Sequence, residues 1–244
     1  EKLQTLSAQI SWSHNVAILS KCKDPLEKEF YMKMSKRNGW TYRVLIHHIE
    51  LGTYENTLLS QSNFKKNLPI NLHPEAALAV KDEYALGFLG LGNEHSEQEF
   101  ERAIVKNIEA FLREVGTAIA FLGSQYRIEL EGQEFFIDLL FYHRRLKSLI
   151  AVELKVSEFI PEYIGKMQFY LSVLDDTVRF RGENPSIGII LCKSKKRTVV
   201  EYALKDANKP INVSSYHMMK KLPKELKGEL PSPEQIAILL DSIE

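Results

Sequence analysis

The sequence predicts an α/β domain, a mixed sheet flanked by helices, preceded by an all-α N-terminal domain. Residues 1–60 carry apolar side chains at helical spacing. Beyond residue 97 the pattern becomes a helix, three or four strand-like segments, a second helix and a further strand, an order typical of α/β domains with a mixed sheet. With 244 residues, 44% of them hydrophobic, the chain can bury one large core or two small ones.

The N-terminal domain is expected over residues 1–60. Leu26, Phe30 and Met34 recur at every fourth position, Asn38-Gly39 supplies a stop, and Thr41 can cap the next helix. Two helices joined by a very short turn resemble helix-turn-helix geometry, which indicates either DNA docking or an ordinary helical bundle. Residues 1–98 contain 11 basic and 11 acidic residues, and this balance favours the bundle.

The remaining boundaries follow from breaks in the pattern. Residues 61–97 lose periodicity and are expected to form a connector, followed by an α/β domain over 98–230 and a C-terminal helix over 231–244. Within the α/β domain we expect helices at 97–115 and 161–174 and strands at 118–122, 126–130, 135–142, 149–156 and 187–192.

Composition excludes several classes of protein. Lys plus Arg and Asp plus Glu both number 32, so bulk charge does not announce a polyanion partner. Cys22 and Cys192 lie in no metal-ligand or disulfide pattern, so we expect a reducing, cytoplasmic compartment. No apolar run approaches the roughly 20 residues of a membrane span, no secretory leader follows Glu1, and the missing Met indicates a piece of a longer protein.

Ionisable residues stand inside two consecutive apolar strands. Asp138 lies within FFIDLLF (135–141), and Glu153 and Lys155 share one face of the next strand. If the hairpin is symmetric about the polar turn between them, Asp138 and Glu153 are cross-strand partners, with Cβ atoms about 4.5–5.5 Å apart.

Two carboxylates this close repel each other unless a proton or a cation lies between them. Oxygen ligands suit Mg²⁺ or Mn²⁺, and Lys155 would point towards the same place, which supplies the parts for metal-assisted phosphodiester hydrolysis. The structural alternative is a buried carboxylate–lysine ion pair without catalytic role, and spacing alone does not decide between the two.

These residues resemble a known superfamily. Asp138, fourteen intervening residues and Glu153-x-Lys155, after a helix that bears glutamates and before one that bears Gln168, resemble the PD-(D/E)xK nucleases. The segments FIDLLFYHRR (136–145), ELK (153–155), GKMQFYL (165–171) and ENPSIGIILC (183–192) are similar to the YhcG family, a bacterial group of predicted nucleases. SWSH (11–14) and GW (39–40) are similar to the helical domain that precedes the nuclease in that family.

The resemblance implies a restriction-endonuclease-like core that acts on DNA. It makes Asp138 and Glu153 metal ligands and Lys155 the catalytic lysine, while Ile137 replaces the proline that usually precedes the first acid. The superfamily also uses a helix glutamate as a ligand. In this sequence the helix glutamate is either Glu101 or Glu109. We prefer Glu101, because its apolar neighbours place it at the edge of the helix face that packs on the core.

The resemblance also implies that Gln168 orients the lysine or contacts DNA, with Lys166 as a weaker candidate. Residues 193–227 contain ten basic and three acidic residues, which indicates a surface that faces phosphates. The DNA-binding candidates outside that helix are Arg144, Arg145, Lys193, Lys195, Lys196 and Arg197.

We therefore expect a Mg²⁺- or Mn²⁺-dependent DNA endonuclease, with branched or recombination-type DNA among its candidate substrates. The alternative is a non-catalytic DNA-binding or protein-assembly module that retains the nuclease fold. Further expectations are a homodimer, as in many enzymes of the superfamily, and protein partners that bind the helical domain.

Overall fold

A computed structural model describes residues 6–50, 52–92, 94–115 and 118–218, apart from the side chains of Asn38 and Asn56. The chain divides into two compact units between Leu59 and Ser60. The C-terminal helix expected over 231–244 lies outside the described residues.

The first unit is helical. Its helices are α1 (Trp12–Lys21), α2 (Pro25–Asn38), α3 (Tyr42–Glu50) and α4 (Thr53–Leu59). Helix α2 ends as predicted at Gly39, which adopts the left-handed conformation with φ 57° and lets the chain turn into α3. Ile18, Phe30 and Leu45 are fully buried among these helices.

The second unit contains the remaining elements. Its helices are α5 (Phe64–Asn67), α6 (His73–Leu78), α7 (Glu97–Lys106), α8 (Ile108–Val115), α9 (Glu162–Thr177) and α10 (Arg197–Lys205). Its strands are β1 (Gln61–Ser62), β2 (Glu83–Ala85), β3 (Ile119–Leu130), β4 (Gln133–His143), β5 (Ser148–Glu158), β6 (Ile187–Ser194) and β7 (Ile211–His217).

The strands form one seven-stranded mixed sheet in the order β1-β7-β6-β5-β4-β3, with β2 also paired to β7. The pairs β3–β4 and β4–β5 are antiparallel hairpins, whereas β5–β6 and β6–β7 are parallel. Helices cover both faces. Phe100 and Phe111 of α7 and α8 pack on one core, and Met167 of α9 and Val200 of α10 pack on the other. The predicted α/β class with a mixed sheet is confirmed.

Two stretches contain a different number of elements from the number predicted. The single helix expected over 97–115 is two helices, because the Asn107 side chain donates to the carbonyl of Ala103 at 2.9 Å and its backbone leaves the helical region. The two strands expected at 118–122 and 126–130 form one strand, β3, which contains a register shift between Phe121 and Gly123.

The expectation of a connector over 61–97 was wrong for the described part of that stretch. Strands β1 and β2 pair with β7, and Phe64, Tyr84 and Leu86 are buried in the second unit. Strands of two and three residues are too short to show periodicity, which is why the sequence pattern missed them. None of the described helices combines the length and the apolar character that crossing a membrane requires.

Candidate active site

The candidate site lies where strands β4 and β5 part. Their ladder runs from His143 and Ser148 to Leu139 and Val152, in the register that a symmetric hairpin predicts. The next residues are Asp138 and Glu153. Strand β5 continues beside β6 at this point, and Asp138 Oδ2 accepts the backbone N–H of Leu154 at 2.8 Å in place of a ladder bond. The carboxylates thus stand at the mouth of a splayed hairpin.

Glu153 is 2% exposed. Its Oε1 accepts from Lys155 Nζ at 3.1 Å and from Lys166 Nζ at 2.5 Å. Its Oε2 is buried and has no hydrogen-bond donor among the described residues. A buried carboxylate oxygen without a donor is costly, so this oxygen marks a place that a cation would fill.

The Lys155 side chain is 12% exposed and its Nζ also donates to Glu97 Oε2 at 2.9 Å. Burial by itself lowers the pKa of Lys155, but the hydrogen bonds to Glu97 and Glu153 outweigh it and raise the pKa above its ordinary value. Lys155 therefore stays an ammonium at neutral pH, suited to stabilising negative charge and unsuited to accepting a proton.

Burial and the nearby Glu153 carboxylate together raise the pKa of Asp138 to about 6. The Leu154 N–H and the ammonium groups of Lys155 and Lys166 act in the opposite direction without cancelling this rise. Asp138 is accordingly ionised above about pH 6, although its surroundings disfavour the charge.

Helix α7 contributes Glu101 to the same place. Gln125 Nε2 donates to Glu101 Oε2 at 2.5 Å and to Asp138 Oδ1 at 3.3 Å, so one amide links the helix carboxylate to the hairpin carboxylate. These three residues, together with Glu97, Gln98 and Arg102, line a cavity of about 440 Å³. Glu109 instead pairs with Arg113 on an exposed face of α8.

The donor set fits a hard divalent cation in part. Mg²⁺ commonly takes one or two carboxylates and keeps several waters, which Asp138 and Glu153 satisfy. Within the described ranges, no group of three or more His, Cys, Asp or Glu side chains surrounds one point closely enough to hold a metal ion. The expected third ligand, Glu101, contacts the Gln125 amide.

Gln168 was expected either to orient Lys155 or to contact DNA, and the structure does not direct its side chain towards Lys155. Its Oε1 accepts the backbone N–H of Asn208 at 2.8 Å, since Gln168 lies on the part of α9 that packs beside the loop before β7. Lys166, two residues earlier, is the α9 residue that reaches Glu153, and its Nζ also lies 5.3 Å from the Tyr170 ring centroid.

The structure separates the expected basic residues into two groups. Residues 193–197 lie at and just beyond the C-terminal end of β6, next to Lys155, because Lys155 pairs with Cys192. Arg144 and Arg145 occupy the β4–β5 turn, about 20 Å along β4 from Asp138 at roughly 3.3 Å per residue.

Lys195 is a correction to the predicted DNA-contacting set. Its side chain is 8% exposed, and its Nζ donates to Asp82 Oδ1 at 2.5 Å and to the Val213 carbonyl at 2.7 Å. This ammonium binds β7 and the loop before β2 and does not face solvent. Lys196 and Arg197 are more exposed, at 72% and 45%, and pair with Glu158 and Glu201.

Sequence reasoning missed Glu97 and Gln125. Glu97 lies 58 positions from the lysine that it binds, and no local pattern announces such a pair. Gly123 before Gln125 was a usable signal, because an isolated glycine in a strand often marks a bulge.

The fold and the site define a PD-(D/E)xK-type domain, and comparison with known families agrees. Residues 77–231 match the family model described as the YhcG PDDEXK nuclease domain, and residues 1–56 match the DUF1016 N-terminal domain. The chain belongs to the YhcG PDDEXK nuclease domain family.

One curated relative is the Escherichia coli (strain K12) protein named "Putative nuclease YhcG", which is 36% identical over 233 residues. The match covers 93% of this chain and 62% of the relative, so the chain spans less than two thirds of that relative's length. Among solved structures, a repair endonuclease from Pyrococcus abyssi overlaps 52% of this chain and 49% of its own, with TM-score 0.35 and 15% identity. EndoMS in apo form overlaps 54% of this chain and 48% of its own, with TM-score 0.34 and 17% identity. TM-scores this low support no conclusion about this chain.

Proposed function

We propose that this chain is a metal-dependent DNA endonuclease with Asp138, Glu153 and Lys155 at its centre. The observation that carries the proposal is the buried Oε2 of Glu153, which receives no hydrogen bond from the part of the chain that the structure describes, beside a second carboxylate whose pKa is raised. A carboxylate pair held at this cost is explained by a divalent cation that completes it. Membership of a PDDEXK nuclease family supports the same function.

Each residue has a distinct part in the chemistry. Asp138 and Glu153 would hold the cation, and the Leu154 N–H fixes the orientation of the Asp138 carboxylate. A bound Mg²⁺ or Mn²⁺ would polarise the scissile phosphate and lower the pKa of a water molecule. Lys155 offers a protonated donor, oriented by Glu97, to the charge that develops on the phosphate oxygens.

Lys166 is suited to a role beside Glu153 in the same site. Its side chain is 45% exposed and its ammonium shares Glu153 Oε1 with Lys155. Burial lowers the pKa of Lys166, but the hydrogen bond to Glu153 reverses the effect and leaves the pKa above its ordinary value. A permanently charged ammonium at the solvent side of the site is suited to contact a DNA phosphate.

The test is a substrate panel with the full chain. Linear duplex, branched and single-stranded DNA and RNA are incubated with Mg²⁺, with Mn²⁺ or with a chelator. We expect metal-dependent cleavage of at least one DNA substrate and a loss of at least about 100-fold in Glu153→Ala. The matched control is Glu134→Ala, a carboxylate 49% exposed on β4, which should cleave like the wild type.

The outcomes separate the candidate functions. Metal binding without cleavage of any substrate in the panel would favour the non-catalytic module. Cleavage that survives in Glu153→Ala would place the chemistry elsewhere, and Glu153 would then belong to a structural ion pair with Lys155 and Lys166.

The finer expectations belong to the same proposal. We propose that the substrates include branched or recombination-type DNA. We also propose that the protein is a homodimer that cuts both strands and that its helical unit binds protein partners. The substrate panel ranks branched against linear DNA, and sedimentation of the full chain with and without DNA measures its oligomeric state.

A further inference from the structure

Gln125 adopts a backbone conformation that residues other than glycine rarely take. Its φ is 46°, and it follows the β3 register shift between Phe121 and Gly123. A left-handed residue inside a strand costs stability and persists only where the surroundings impose it. Bulges next to active sites commonly serve to re-aim a side chain.

The bulge decides which side chain faces Asp138. After it, Ser124 pairs with Leu139 and Tyr126 pairs with Ile137, so Gln125 stands opposite Asp138. The register of the pair before the bulge, continued without the extra residue, would put Ser124 there instead. A serine hydroxyl is too short to link the two carboxylates, whereas the glutamine amide reaches both.

The amide suits this place because it is neutral and carries two hydrogens on one nitrogen. Gln125 Nε2 directs its donors at Glu101 Oε2 and Asp138 Oδ1, at 2.5 and 3.3 Å. A lysine at the same place would hold the carboxylates together but would compete with a cation for their charge. A glutamine holds them and leaves both charges in place.

We infer that Gln125 is a positioning residue that keeps the Glu101 carboxylate beside Asp138, so that both serve one divalent-cation site. This inference rests on the proposed function. It explains two observations together. The backbone of Gln125 is strained, and its side-chain amide hydrogen-bonds both the helix carboxylate and the hairpin carboxylate.

The test compares two strained positions of the same strand region. Glu131, at the β3–β4 turn, has φ 50° and is exposed, so Glu131→Gly relieves similar strain without touching the site. Mn²⁺ affinity is measured by calorimetry on the full chain, and Tm by circular dichroism. We expect Gln125→Gly to weaken the Mn²⁺ Kd by about 10- to 100-fold, as for other residues that orient metal ligands, without lowering Tm.

Glu131→Gly should leave the Mn²⁺ Kd within about twofold and raise Tm by a few degrees. A double variant adds a readout that a merely structural role would not give. In a Glu101→Gln background, Gln125→Gly should cost no more than about threefold in Kd, because its effect passes through Glu101.

The inference is overturned if Gln125→Gly binds Mn²⁺ within about twofold of the wild type, or if its loss persists in full without the Glu101 carboxylate. A wild type that binds Mn²⁺ but cuts no DNA would refute the proposed function and leave the Kd comparison to decide this inference. A wild type that binds no Mn²⁺ would overturn both.

Discussion

Asp138 carries its charge against the preference of its surroundings. Burial and Glu153 raise its pKa to about 6, whereas the same carboxyl in an unfolded chain has an ordinary value of 3.8. Above pH 6 the folded state holds an ionised group that it disfavours, so the residue lowers stability at neutral pH. Functional sites commonly show such a conflict between stability and activity.

Asp138→Asn should therefore stabilise the protein while it removes cleavage. The free energy of unfolding in urea at pH 7.5 should rise by about 1–2 kcal/mol, after allowance for the partial exposure of the carboxyl. The gain should shrink as pH falls from 6 towards 4, where the folded wild type takes up the proton first. Asp176→Asn, on an exposed part of α9, should change stability by less than about 0.5 kcal/mol. A destabilised Asp138→Asn would contradict this account.

His143 should act with the opposite sign. It is 3% exposed, its Nδ1 accepts the Leu146 N–H at 3.1 Å, and burial followed by the charge of Arg145 lowers its pKa from 6.5 to about 4. The unfolded chain takes up this proton first as pH falls, so stability is complete above pH 6.5 and declines towards pH 4.

The expected loss over that window is up to about 3 kcal/mol. Urea unfolding of the wild type and of His143→Asn at pH 7.5 and 4.5 measures it, and the decline should be smaller in the variant. Equal declines in the two proteins would show that His143 is not the group responsible.

At the scale of elements, helix α9 packs tightly against strand β6. A Cβ built on Gly188 of β6 would lie 2.5 Å from Met167 Cγ and 2.6 Å from its Sδ. Parallel strands buried on both faces accept such a contact only with a residue that lacks a side chain.

Gly188→Ala should lower the free energy of unfolding by about 1–3 kcal/mol, because Met167 must move within a packed core. Gly165→Ala is the matched control. Gly165 lies inside α9 with open space around its Cβ direction, so alanine should raise stability by about 0.5–1 kcal/mol through helix propensity. Thermal and urea unfolding of both variants give the comparison, and a neutral Gly188→Ala would mean that this contact yields easily.

The elements differ in how far the sequence could predict them. Strands β4 and β5 were predictable because long apolar runs flank a polar turn, and their symmetric register followed from the turn alone. Strand β7, which pairs with three other strands, is not predicted by the sequence, because the basic residues on both sides of it indicate a polar surface. The break at Asn107 depends on a local side-chain hydrogen bond that competes with the helix, and Gly123 signals a bulge in β3 without revealing the register that follows it.

The same distinction holds for the site. Asp138, Glu153 and Lys155 could be placed together from strand periodicity, since all three lie on adjacent strands. Gln125 could not, because its position depends on the bulge, and Lys166 could not, because a crossover helix returns it to β5.

Over the whole molecule, a formal charge of zero conceals an uneven distribution. Basic residues lie at and just beyond the C-terminal end of β6, next to Lys155, whereas Arg144 and Arg145 lie at the far end of the hairpin. The affinity for DNA bound at the carboxylates should therefore depend more on the basic residues near the end of β6 than on those in the hairpin turn.

Two charge reversals test this. Lys196→Glu should weaken DNA binding by about 3- to 10-fold and reduce the slope of log Kd against log salt by about one, whereas Arg144→Glu should change both less. The measurement is the binding of labelled duplex DNA across a salt series. Metal is left out of the buffer so that the DNA is not cleaved. Equal effects of the two reversals would contradict the proposal that DNA binds at the C-terminal end of β6.

We propose that the Glu153 carboxylate holds the cation that supports DNA cleavage. The most direct measurement is the rate of DNA cleavage against Mg²⁺ concentration for the wild type and for Glu153→Gln, with circular dichroism to show that both are folded. We predict a rate that rises and saturates with Mg²⁺ in the wild type, and a loss of at least about 100-fold in the folded variant at every concentration. A folded Glu153→Gln that cleaves as fast as the wild type, or a wild-type rate indifferent to Mg²⁺, would contradict it.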